Sequence, residues 1–346
     1  MKLLFVHHVI EDRGSAQDMF HYVRVAEQMG HEITLYGPRP ADSPFRYSQE
    51  LNGADAVIFI FEWTTQLQNG DALDLARLVE RFPRERRVVI DCDGKYNDAL
   101  SVSGDVNHPD AESSRRWVEA CDSLSDKICQ PTWHPQRNNV RPFFFHAYDS
   151  SWEQPLDFGS KPYGMVYVGN NWFRWRSLER VLKTVEKIRD RVGPVALVGN
   201  GWDQPAPWAN STLPEEAYRT DPVLLKRLGV ETVPPVRFDR VIEWMGRGVF
   251  SPVIYRPLFD RLQLVTCRTY ETPAANTIPL FCQDEQFVRE TFGPVGPELL
   301  FSPEKIGDLF ERPKYYRTVA REIRQHLAAH YSYAARVKEL IEIVES

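Results

Sequence analysis

The strongest constraint on this chain's fold is an alternation that occurs twice: an apolar run, a stretch of helical periodicity, and a second apolar run. In the first instance Leu-Leu-Phe-Val at 3–6 is followed by Met19, Tyr22, Val23, Ala26 and Met29 at helical spacing, then by Ile-Thr-Leu-Tyr at 33–36. Gly14 and Ser15 suit the start of that helix, and Gly30 its left-handed end. In the second instance Met-Val-Tyr-Val at 165–168 leads through a helix over 177–189 to Val-Ala-Leu-Val at 195–198. A crossover of this kind is right-handed and joins parallel strands. Further strands at 56–61 and 88–90, with a helix over 72–81 between them, and a last strand at 140–145 extend the first unit. The expected fold class is therefore α/β, with two Rossmann-like, doubly wound domains. At about 150 residues per domain, 346 residues accommodate both.

The boundaries follow from composition. Residues 1–150 form the first domain, and 151–163, with Pro155, Gly159 and Pro162, read as a linker. Residues 164–328 form the second domain, and 329–346 a terminal helix with Tyr333, Val337, Leu340, Ile341 and Val344 on one stripe behind Ser332.

Several function classes drop out. With 42 Lys+Arg against 48 Asp+Glu, the net charge of −6 opposes a general nucleic-acid coat but leaves room for a local basic cleft. The five cysteines are scattered without a C-x-x-C pair, so neither a disulfide framework nor a zinc site is indicated. No apolar stretch reaches spanning length, and a cytoplasmic location is expected. Only Gly14 stands after the first strand, which excludes the G-x-G-x-x-G fingerprint of a dinucleotide-dependent dehydrogenase. The nine histidines show no H-E-x-x-H spacing, so no metal site is expected.

Open parallel sheets bind ligands outside the carboxyl ends of their strands, so the candidates lie there. In the first domain these are His7, Asp12, Gly14 and Ser15 after the first strand, Glu62 after the strand at 56–61, and Asp91 and Asp93 after the strand at 88–90. His7, Asp12, Asp91 and Asp93 are candidate general bases for an acceptor hydroxyl, with Gly14, Ser15 and Glu62 on the acceptor side. Asp91 and Asp93 read equally well as a strand end and a turn cap. The D-x-D-G spacing lacks the bidentate Glu that a calcium loop needs at its twelfth position.

In the second domain Gly169 and Asn170, with Arg174 and Arg176, suit phosphate contact or an aromatic packing corner around Trp172 and Trp175. Gly201 and Trp202 suit a nucleobase pocket or a tight turn before a core tryptophan. Arg256 and Arg261 flank an apolar Leu258-Phe259 pair; one of them could face the cleft, and solvent exposure is the default expectation for either. The clearest local signal is Arg268-Thr269-Tyr270-Glu271, which opens a short helix rich in small residues between two buried strands. Amides at such a helix start suit a diphosphate, Arg268 adds charge, and Glu271 could accept from a ribose or merely answer the helix dipole.

That segment, continuing Thr-Pro-Ala-Ala-Asn-Thr-Ile-Pro, resembles the donor-site motif of GT-B fold glycosyltransferases. With Gly-Asn-Gly-Trp at 199–202 and His330-x-Ser-Tyr-x-x-Arg-Val, it is most similar to the CgeB-like, spore-maturation group. The resemblance implies two domains facing across a cleft, with the terminal helix crossing back to the first. It implies Glu271 on the donor ribose and the amides of Thr269 and Tyr270 on the diphosphate. Retaining families carry a glutamate eight positions earlier, where this chain has Gln263. The implied activity is metal-independent transfer from a nucleotide sugar, UDP-linked first, to a hydroxyl acceptor, with retention favoured over inversion and no further cofactor. The alternatives are transfer to modified DNA bases and a non-catalytic, two-lobed nucleotide- or glycan-binding protein.

Overall fold

The computed structural model describes every residue except 8–13, 40, 42, 63–74, 103, 108–109, 206–208 and 210–212, with 14–16 described by backbone alone. Its first lobe is built on strands β1 (Lys2–Val6), β2 (Glu32–Tyr36), β3 (Tyr47–Ser48), β4 (Ala56–Phe61) and β5 (Arg87–Asp91). A small antiparallel hairpin follows, β6 (Ser101–Val102) with β7 (Asp105–Val106), before β8 (Lys127–Gln130) and β9 (Val140–Pro142) return to the sheet. The second lobe contributes β10 (Tyr163–Val168), β11 (Val195–Val198), β12 (Glu231–Val233), β13 (Gly248–Val253) and β14 (Ile278–Phe281).

The sheets run in the orders β3-β2-β1-β4-β5-β8-β9 and β12-β11-β10-β13-β14, with parallel neighbours throughout. Parallel sheets are covered on both faces, which is why β4 reads Ala-Val-Ile-Phe-Ile-Phe and every one of those residues is buried. Helix Gly14–Gln28 covers one face, burying Met19, Tyr22, Val25 and Ala26 against Phe5, Ile33 and Ile58. In each sheet the chain order reverses beside the first strand, β1 or β10, and such a switch point opens a crevice at the carboxyl ends.

The last strand of the first lobe is shorter than expected. Pairing stops at Pro142, and Phe143 and Phe145 enter the core as irregular chain. The tail forms two helices, Pro313–His330 and Tyr333–Glu345, broken where Ser332 caps the second by accepting from the Ala335 amide at 3.3 Å. Tyr331 lies in the core of the second lobe and Tyr333 in that of the first. The chain crosses between lobes here, beside its earlier crossing, where the Tyr148 amide donates to the Tyr331 carbonyl at 2.8 Å. The terminal helix buries Tyr333, Val337, Leu340, Ile343 and Val344, and Ile341 packs at the margin of the same core. Ile343, three positions beyond Leu340, shares its face. No helix among the described residues is long and apolar enough to cross a membrane.

Candidate functional site between the two lobes

At the carboxyl edge of the first sheet, His7 follows β1 and its Nε2 lies 3.5 Å from Glu62 Oε2, which follows β4. Asp91 and Asp93 part company. Asp91 ends β5 fully buried and accepts from the amides of Lys95 at 2.9 Å and Tyr96 at 2.7 Å and from Gln130 Nε2 at 2.8 Å. Burial raises its pKa, and these three donors oppose the rise. Asp91 is thus an anchor for the turn, and its candidacy as a base is corrected: both carboxylate oxygens are already committed. Asp93, two residues on, makes no side-chain hydrogen bond among the described residues. Burial pushes its pKa up to about 6, against the opposing pull of Arg256 and Lys95. The turn then needs Gly94 at φ +69°, where a Cβ would also lie 2.8 Å from Leu262 Cδ1 in the second lobe. Asp93 therefore sits where the lobes meet.

The hairpin β6–β7 reaches across the same seam. Asp105 is buried, accepts from the Leu258 amide at 3.0 Å, and lies 3.8 Å from Arg256 Nη1. Arg174 acts on both Asp105 and Arg256 through its charge. Arg256 was expected in solvent, yet its side chain is only 18 % exposed, lying over the Phe259 ring at 4.0 Å. Arg261 is exposed.

In the second lobe, the loops after β10 and β11 touch. A Cβ on Gly199 would lie 2.3 Å from the Gly169 carbonyl oxygen, so only glycine allows the approach. Asn170 Oδ1 accepts from the Asn200 amide at 2.9 Å, and Arg174 Nη1 donates to the Asn170 carbonyl at 3.0 Å. Arg176 is exposed on helix Trp175–Lys187. Trp202 is buried, donates from Nε1 to the Gly169 carbonyl at 3.0 Å and meets Tyr167 edge-on. Its role as a nucleobase platform is corrected to that of a core residue, because its faces are packed. Gly201 is buried too, its carbonyl accepting from Asn171 at 3.1 Å. Gln263 takes the left-handed position, φ +52°, that ends helix Pro257–Leu262.

Helix Cys267–Ala274 carries the Arg-Thr-Tyr-Glu segment. Thr266 and Thr269 form a reciprocal capping box, which occupies the Thr269 amide. Tyr270 is fully buried against Tyr331. Both residues are removed from the diphosphate cradle, since the fold already uses their donors or their surface; only the first two helical amides, of Cys267 and Arg268, lack an intrahelical acceptor. Arg268 donates to the Val168 carbonyl at 2.9 Å and pairs with Glu271. Burial alone would lower the Arg268 pKa, and the Glu271 carboxylate outweighs it and raises it. Glu271 is 2 % exposed and faces the seam between lobes, where Gln17, Asp18, Ala147, Trp152 and Cys267 join it around a crevice too narrow to admit even a water molecule. Sites for such ligands run to about 300–1,000 Å³, so a nucleotide sugar reaches Glu271 only if the lobes part.

Asp18 on the far wall is held by His146 Nδ1 at 2.9 Å and the Tyr333 hydroxyl at 2.6 Å. Burial pulls His146 down, and Asp18 more than compensates, raising its pKa to about 9. Asp18, His146 and Asp105 are not among the candidates that the sequence offers. Asp18 was detectable as an acid beside the apolar stripe at Met19, whereas Asp105 lies in a polar stretch with no periodicity. Asp12 lies outside the described residues, and Gly14 and Ser15 begin helix Gly14–Gln28 as backbone only. Among the described residues no group of three or more His, Cys, Asp or Glu is arranged to hold a metal ion.

A family profile described as "Glycosyl transferase-like" matches residues 174–342, just under half of the chain. A search of curated proteins returns no match. Among solved structures, an α-glucosyltransferase bound to UDP and a 13-mer DNA aligns with a TM-score of 0.62 at 14% identity, covering 100% of this chain and 99% of that one. A DNA-modifying β-glucosyltransferase, studied with and without uridine diphosphoglucose, gives 0.58 at 12% identity, with both chains covered in full. The T4 phage BGT bound to UDP and Mn2+ gives 0.55 at 11% identity over the same full coverage. The two parallel α/β lobes of this chain are thus the GT-B fold of these glucosyltransferases.

Proposed function

We propose that this chain is a glycosyltransferase that moves a sugar from UDP to a hydroxyl acceptor. The observation that carries the reading is the seam itself: Asp93 of the first lobe, a carboxylate with no side-chain hydrogen bond among the described residues, lies within the charge of Arg256 in the second, and Arg174 adds its own charge at Arg256. The fold and the profile over 174–342 supply the reaction class. The CgeB-like grouping rests on the segment 268–279 and the tail after His330.

In this reading Asp93 takes the proton from the acceptor hydroxyl, whose oxygen attacks the anomeric carbon. The bond from that carbon to the diphosphate oxygen breaks, and UDP leaves with the electron pair. Arg268 and Arg174 offset the charge that grows on it, and Glu271 holds the ribose once the lobes open. A carboxylate ready to accept a proton favours a single inverting displacement over the retaining course. The charge of the leaving group falls to arginines, with no metal assigned. Incubation with UDP-glucose and UDP-galactose, followed by assay of UDP release and the anomeric configuration of the product, tests the reading. No UDP release with any acceptor, and no thermal stabilisation by UDP, would overturn it.

A modified DNA base is the second acceptor reading, favoured by the DNA-bound and DNA-modifying relatives in fold. Binding to duplex DNA that weakens steeply with salt would support it.

A further inference from the structure

Arg256 is the least satisfied cation in the seam. A guanidinium has five N–H donors, and buried ones are nearly always used. Arg256 follows β13 with its side chain 18 % exposed, yet it donates no hydrogen bond to any described residue, and its Nε is buried without an acceptor. Its anionic neighbour is Asp105 at 3.8 Å, a distance that gives attraction without a hydrogen bond. Asp105 is itself tied to the second lobe by the Leu258 amide. The same hairpin brings Gly104 beside Phe173 and Glu216 of the second lobe. Arg174 adds a second positive charge to the group. Asp93 acts on Arg256 through its charge as well, and neither carboxylate takes a hydrogen bond from it, so the two arginines form a place for a doubly charged oxyanion with more acceptor oxygens.

We propose that Arg256 is a diphosphate-binding residue, and that Asp105 on the β6–β7 hairpin is its resting counter-anion, displaced when the donor's diphosphate arrives. The inference rests on the donor reading above and deepens it. The hairpin then sets donor affinity: the carboxylate has to give up the cation before phosphate oxygens take it.

Inorganic pyrophosphate and UDP-glucose, titrated calorimetrically into the intact chain, test this. Asp105→Asn keeps an acceptor for the Leu258 amide and removes the charge, so it should bind pyrophosphate about tenfold more tightly. Arg256→Gln should bind it at least about tenfold more weakly, and Asp105→Asn should add nothing in that background. Arg256→Lys, which keeps charge and bulk, guards against a folding defect and should fall between. An unchanged or weakened pyrophosphate affinity in Asp105→Asn overturns the proposal, as does a gain of equal size in the Arg256→Gln background. Tighter pyrophosphate binding without any UDP-glucose binding would leave this arrangement standing and overturn the donor reading instead.

Discussion

The carboxyl edges of the two sheets are built alike and charged oppositely. On the first, β1, β4 and β5 deliver His7, Glu62, Asp91 and Asp93, with Asp18 and Asp105 close by. On the second, the loops and helix after β10, β13 and their neighbours deliver Arg174, Arg256 and Arg268. The same strand-helix geometry thus presents proton acceptors on one side of a seam and anion receptors on the other. A net charge of −6 conceals this, because it averages two faces of opposite sign. The division suits group transfer: a nucleophile has to lose a proton on one side while a leaving group gains charge on the other.

The comparison breaks most visibly at Asp93. Asp93→Asn should slow sugar transfer by about 10²–10⁴-fold without weakening UDP binding, because it removes the base and leaves every cation of the second edge in place. Burial has raised this carboxyl to about 6, so it is protonated below that pH and ionised above it. The wild-type rate should climb as pH rises through about 6, and the Asn variant should lose that limb. If both profiles keep it, another group is the base. Asp91→Asn should instead act on the fold, since its two turn amides and Gln130 need the acceptor.

On the second edge, Glu271→Ala leaves Arg268 largely buried without its carboxylate. Breaking one side of such a pair costs about 3–5 kcal/mol, so thermal unfolding should drop markedly along with UDP affinity. Glu271→Gln keeps the shape and should separate the two effects, recovering stability in part while donor binding stays weak. Full donor affinity in Glu271→Gln would detach this residue from the ribose.

Behind the first edge, His146 offers a stability test. Asp18 holds its folded pKa at about 9, above the value of about 6.5 for a free imidazole. The stabilisation is therefore complete below about 6.5 and is lost as pH rises through about 9, on the order of 3 kcal/mol. Urea unfolding across that window should show the decline, and Asp18→Asn should flatten it.

Sequence patterning made the two lobes legible because parallel strands must be continuously apolar and their helices periodic. It located the edges, since each strand ends in a recognisable polar turn. It did not separate Asp91 from Asp93, which have the same side chain two residues apart. Which carboxylate receives amides depends on the path of residues 94–96 and on Gln130 arriving from β8, contacts that no spacing rule encodes. The place of Arg256 is hidden for a similar reason: the carboxylate beside it, Asp105, arrives from the other lobe. Arg268 and Glu271 were readable as a pair of chemistries, but the box that closes the Thr269 amide required knowing where the helix begins.

The smallest expected effect concerns Trp202, which separates recognition from packing within the second edge. Its Nε1 bond to the Gly169 carbonyl and its edge contact with Tyr167 place it under the loops that would flank a nucleotide. Trp202→Phe removes one buried hydrogen bond and part of a ring, leaving the Gly169 carbonyl without that donor. The cost should be about 1–3 kcal/mol in unfolding free energy. A stacking residue would behave differently, because a phenyl ring also stacks but loses area against the base, and UDP would bind several-fold more weakly without loss of stability. Lower stability with unchanged UDP affinity therefore fixes Trp202 as support for the loop. The opposite pattern would move the nucleobase next to Gly201 and shift the donor site away from the Arg174–Arg256 seam.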